Sequence, residues 1–61
     1  GPAVTVDESG VDEMVSETLA KIYAAQHRYV EAAVMYEKLA ARAPAQADEL
    51  LRRAAELRDR R

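Results

Sequence analysis

"EMVSETLAKIYAAQHRYVEAAVMYEKLAARAP", residues 13–44, decides the fold. Together with Val11 upstream, Met14, Val15, Thr18, Leu19, Ile22 and Tyr23 recur at three- and four-residue steps, the spacing of one helix face. Ser9 followed by Asp12 resembles a capping box, so the spacing predicts a first helix over about 10–25. "AQHRY" interrupts the period. A tight helix–helix turn needs a residue tolerant of positive φ, and His27 stands where that residue is needed. A second helix follows at about 29–42, with Tyr29, Ala32, Tyr36, Leu39 and Ala43 on one face. Pro44 ends it, because proline lacks an N–H and disfavours helix at the residue before it. Ala47, Leu50, Leu51, Ala54 and Leu57 then mark a third helix at about 46–59. Loops this short make neighbouring helices antiparallel, so the expected fold is all-α, a helical hairpin plus one helix.

The chain has 61 residues and no cysteine, so neither disulfides nor zinc thiolates support it. One domain is the most such a length allows, near the lower limit for folding alone. Gly1–Pro2 reads as a remnant of tag removal, and residues 1–9 as that remnant plus an acidic, flexible lead-in to a single domain over 10–61. No apolar run approaches the roughly 18 residues of a membrane span. Residues 1–20 hold Asp7, Glu8, Asp12, Glu13 and Glu17 with no base, whereas the remainder has nine Lys/Arg against six acids. That polarity can orient one chain against another. The absence of cysteine agrees with a reducing cytoplasm without establishing one.

Residues 13–44 resemble one complete tetratricopeptide repeat, a unit of about 34 residues. Leu19–Ala20, Tyr23, Tyr29, Ala32, Tyr36 and Pro44 stand at the family's large, small, aromatic and closing positions. Three positions depart: Ser16 where the family has a large aromatic, His27 where it has glycine, and Leu39 where it has alanine. The resemblance implies a hairpin whose small Ala32 lets two helices approach closely. It also implies that residues 46–61 form the helix that caps the last repeat of such arrays. Helix pairs of this kind bury their faces by stacking on neighbours, and here there is one pair, capped on one side.

The open side is therefore the informative one. Val11, Met14, Val15, Thr18, Ile22 and Ala25 spread over the flank of the first helix away from the hairpin. Some of them are expected to meet the third helix, which is too short to cover them all. The remainder implies a non-enzymatic protein–protein interaction module that self-associates as a homodimer, with Met14, Val15, Thr18 and Ile22 at the centre. An alternative follows from the resemblance: a peptide-binding groove, or a fragment of a larger scaffold array, with Glu17, Lys21, Ala24 and Ala25 beside Met14 lining the groove.

Other functions find little in the residues. Three tyrosines at helical spacing read as packing groups with their hydroxyls at water or a carbonyl. His27 lacks a second histidine or a cysteine, so it reads as a turn residue rather than a metal ligand or general base. No catalytic constellation and no phosphate-binding glycine loop is present, so neither catalytic residues nor cofactor, metal or small-molecule substrate is expected. Arg52, Arg53, Arg58, Arg60 and Arg61 could touch phosphates, yet Glu49, Glu56 and Asp59 are interleaved with them. Cations belong at a helix C-terminus, so nucleic acid is the remote alternative.

Overall fold

The computed structural model describes residues 15–60, and all regular structure in them is helical. Helix α1 spans Glu17–Ala25, α2 spans Tyr29–Arg42 and α3 spans Ala47–Asp59, with a single 3-10 turn at Pro44–Gln46. The second helix lies where the periodicity places it. The third begins one residue later than 46, because Pro44–Gln46 forms its own turn before the α-helical bonds start.

The first helix is shorter than its periodicity suggests. Ser16 is its N-cap, with extended backbone (φ −156°, ψ 156°), and its hydroxyl accepts the Leu19 N–H at 3.1 Å. A serine in this role satisfies one of the orphan donors of the first turn, which fixes the start locally. Val15 and Ser16 are thus outside the helix, and Ser16 caps it instead of facing α2 as a helical residue. The Ser9–Asp12 capping box, Val11, Met14 and the lead-in lie outside the described residues.

The turn after α1 follows the expectation closely. His27 has φ 63°, a left-handed conformation unusual for a residue with a Cβ. It lets the His27 N–H reach the Ala24 carbonyl at 3.0 Å and the Arg28 N–H reach that of Tyr23 at 2.9 Å. This pair of bonds closes the helix C-terminus in the way glycine usually does. The next helix ends equally abruptly: Ala43, before Pro44, is forced to φ −130° and ψ 76°.

Helix α2 is the middle of the layer and packs against both α1 and α3, which barely meet each other. The core consists of Ala20, Ala32, Ala33, Tyr36, Ala40, Leu50, Ala54 and Leu57. Most of these are alanines, and among the described residues no large side chain is fully buried. Alanine lets helices approach closely, but each removes little apolar surface from water. Tyr23, Tyr29, Met35 and Leu39 pack half-buried around this seam. On the Tyr29, Ala32 and Tyr36 face, Ala32 and Tyr36 are buried in the core and Tyr29 is half-buried against it.

Candidate functional site

Two surfaces emerge from this packing. The first is the outer side of α1. Leu19, Ala20, Tyr23 and Ala24 turn toward the rest of the molecule, which leaves Thr18, Ile22 and Ala25 exposed. These three form a stripe at steps of four and three residues, and half-buried Val15 precedes the helix. Ile22 is 46% exposed, one of three large apolar side chains in that state among the described residues, with Val30 and Leu51. Of the flank residues expected from sequence, Val11 and Met14 lie outside the described residues and Val15 is half-buried. Because α3 docks on α2, Thr18, Ile22 and Ala25 all stay open.

The second surface is a groove between α1 and α3, of about 590 Å³. Lys21 and Ala24 form one wall, Arg53, Glu56, Asp59 and Arg60 the other, and Tyr36 and Leu57 the apolar lining between them. Of the groove residues expected from sequence, Lys21 and Ala24 are in place. Glu17 sits nearby, one helical turn before Lys21 and 3.9 Å from its ammonium, and close enough to act electrostatically on Arg53. Ala25 is exposed but does not line the groove.

The arginines of α3 are largely spoken for. Arg58 holds Glu37 of α2 in a two-pronged pair, Nε donating to Oε2 at 2.8 Å and Nη2 to Oε1 at 2.9 Å. The hydrogen bonds from Arg58 hold the Glu37 carboxyl below its ordinary range, against a small opposing effect of burial, and its charge adds to the lowering. Glu37 in turn raises Arg58. Arg53 donates to Glu49 at 3.1 Å, one turn earlier on the same helix, and is raised by that bond. Arg60 places its guanidinium 5.5 Å from the centre of the Tyr29 ring, which also stacks on His27 at 5.7 Å and 18°. These last contacts return the end of α3 to the start of α2 and give His27 a packing role beside its turn.

Sequence spacing could not have revealed the Glu37–Arg58 or Tyr29–Arg60 contacts. Their members are far apart in the chain and meet only once α3 docks on α2. By contrast, the exposed Ile22 stripe is a periodic feature and is legible directly.

No family model, curated protein or solved structure matches this chain. The surfaces therefore have to be judged on their own chemistry. Among the described residues no group of three or more His, Asp or Glu side chains is placed to hold a metal ion. No helix among them is long and apolar enough to cross a membrane. His27 is exposed, and the partner the structure gives it is the Tyr29 ring.

Proposed function

We propose that the chain is a non-enzymatic protein–protein interaction module, a divergent tetratricopeptide-like hairpin with a capping helix, that self-associates through the outer flank of α1. The observation that carries this reading is the pairing of a poor core with an open apolar stripe. Five of the eight core residues are alanines, while Ile22 stands 46% exposed between Thr18 and Ala25. A domain ordinarily packs two layers of secondary structure around its core, and the described residues form a single layer of three helices. A second copy laid on α1 supplies the missing layer and makes folding and association one event. The tetratricopeptide reading is supported by full burial of Ala32, by the left-handed turn at His27 and by the stop at Pro44. The short α1 departs from it.

Sedimentation across a concentration range tests the assembly, and Ile22→Asp and Val15→Asp test the face. Burying a carboxylate at the centre of the interface weakens association by about a hundredfold or more. An unchanged assembly in both variants would move the interface elsewhere.

The groove favours a second reading, an extended peptide held between Lys21 and the α3 arginines over Tyr36 and Leu57. Titration with a panel of acidic peptides, repeated on Lys21→Ala and Arg53→Ala, separates it from self-association, since neither exposed side chain belongs to the core or to the outer flank. Nucleic-acid binding through α3 is disfavoured, because Glu49, Glu56 and Asp59 are interleaved with its arginines.

A further inference from the structure

We propose that the groove between α1 and α3 binds the side-chain carboxylate of a single glutamate in an extended peptide, with the Tyr36 hydroxyl as the donor that selects it. This rests on the groove reading rather than on self-association, and names what the groove recognises. Tyr36 is only 4% exposed, and its ring is part of the core. Its hydroxyl has no hydrogen-bond partner among the described residues. No side-chain polar atom among them is both sealed from solvent and unpaired, so this hydroxyl opens onto the groove that Tyr36 lines. Tyr36 also lies close enough to Arg53, on the α3 wall, to act on it electrostatically. A phenol whose ring is locked by packing is a fixed donor, and this one lacks an acceptor.

The surroundings of that hydroxyl fix the chemistry of the ligand. Lys21 stands on the α1 wall and Arg53 on the α3 wall. Lys21 is 3.9 Å from Glu17, and Arg53 gives Nη2 to Glu49 at 3.1 Å, both exposed pairs. An ammonium and a guanidinium each carry several N–H groups, so both cations retain donors for a ligand. Cations beside a hydroxyl favour a charged acceptor, which forms the stronger hydrogen bonds. The rest of the α3 wall limits that charge. Glu56 and Asp59 follow Arg53 and oppose a second anion, which disfavours a phosphate or a run of acids and leaves one carboxylate. Their oxygens suit the N–H groups of an extended backbone, while Ala24 and Leu57 offer apolar contact beside the glutamate. A groove of about 590 Å³ matches a short stretch of chain rather than a folded partner.

Tyr36→Phe tests the donor, because it removes the hydroxyl and keeps the ring in the core. The probes are peptides capped at both ends, each carrying one glutamate among apolar residues, and their glutamine counterparts, titrated by fluorescence anisotropy. The parent chain is expected to prefer glutamate. Tyr36→Phe is expected to weaken glutamate binding about tenfold and to narrow that preference, as the loss of one hydrogen bond to a charged group requires. Circular dichroism and sedimentation stay unchanged in this variant, and Tyr23→Phe, outside the groove lining, binds as the parent does. Undiminished binding by Tyr36→Phe, with loss in Lys21→Ala, would overturn the role of the hydroxyl and leave the groove reading intact. A glutamine peptide with a free C-terminal carboxylate that binds as well as the glutamate peptide would move recognition to a chain end and overturn the side-chain assignment. No binding of any of these peptides to the parent chain would overturn the groove reading as well.

Discussion

At the scale of single residues, His27 and Ala32 do the most to shape the hairpin. His27 adopts φ 63°, which a Cβ makes costly by roughly 1–2 kcal/mol. Comparing His27→Ala with His27→Gly removes the imidazole in both and isolates that cost. Urea unfolding should find the alanine variant less stable by about 1 kcal/mol, the left-handed penalty less the extra freedom of unfolded glycine. Ala32 is fully buried where α2 meets its neighbours. Ala32→Leu forces the helices apart and destabilises by about 1–3 kcal/mol, read as a fall in the unfolding midpoint. Both positions were legible in the sequence, since a turn without glycine and a small residue amid aromatics are local signals. Ser16 was not. Its place in the apolar period suggested a helical residue, whereas its hydroxyl competes locally for a backbone N–H and sets the boundary.

At the scale of the elements, caps and clasps decide where helices stop and how they hold together. Helix α1 has nine residues, too few to persist alone, so the Ser16 cap matters. Ser16→Ala should cost about 1 kcal/mol and lower the helical signal. The attachment of α3 to α2 depends on Glu37 and Arg58 as well as on Leu50, Ala54 and Leu57. Glu37 is held below its ordinary carboxylate value in the folded protein. The fold thus binds fewer protons than the unfolded chain, and stability rises with pH across that window. The contribution is complete above the unfolded carboxylate value and is lost as pH falls through the lower, folded one. Arg58, shifted the other way, titrates too far above neutrality to add a second transition. Thermal melts between neutral pH and pH 3 should show a smaller acid-side loss for Glu37→Gln than for the parent chain. An identical pH profile in that variant would remove the clasp from the account. The sequence could not pair these residues, because nothing local distinguishes Glu37 from the other exposed acids until α3 docks.

At the scale of the whole molecule, the balance between core and surface is what calls for a partner. The three helices of the described residues form one layer around a seam dominated by alanine, with Ile22, Val30 and Leu51 left substantially exposed. The sequence made the three helices and the uncovered flank readable through period alone. It did not make readable that α3 would dock on α2 and leave Thr18, Ile22 and Ala25 open, since helix-to-helix docking depends on which faces fit. That open flank is where a second chain is proposed to lie. The most direct measurement is sedimentation equilibrium combined with circular dichroism, over concentrations from well above to well below the association midpoint. The account predicts a dimer at high concentration whose dissociation on dilution is accompanied by loss of helix, with Ile22→Asp shifting both changes to higher concentration. A fully helical monomer at micromolar concentration, unaffected by Ile22→Asp, would contradict it.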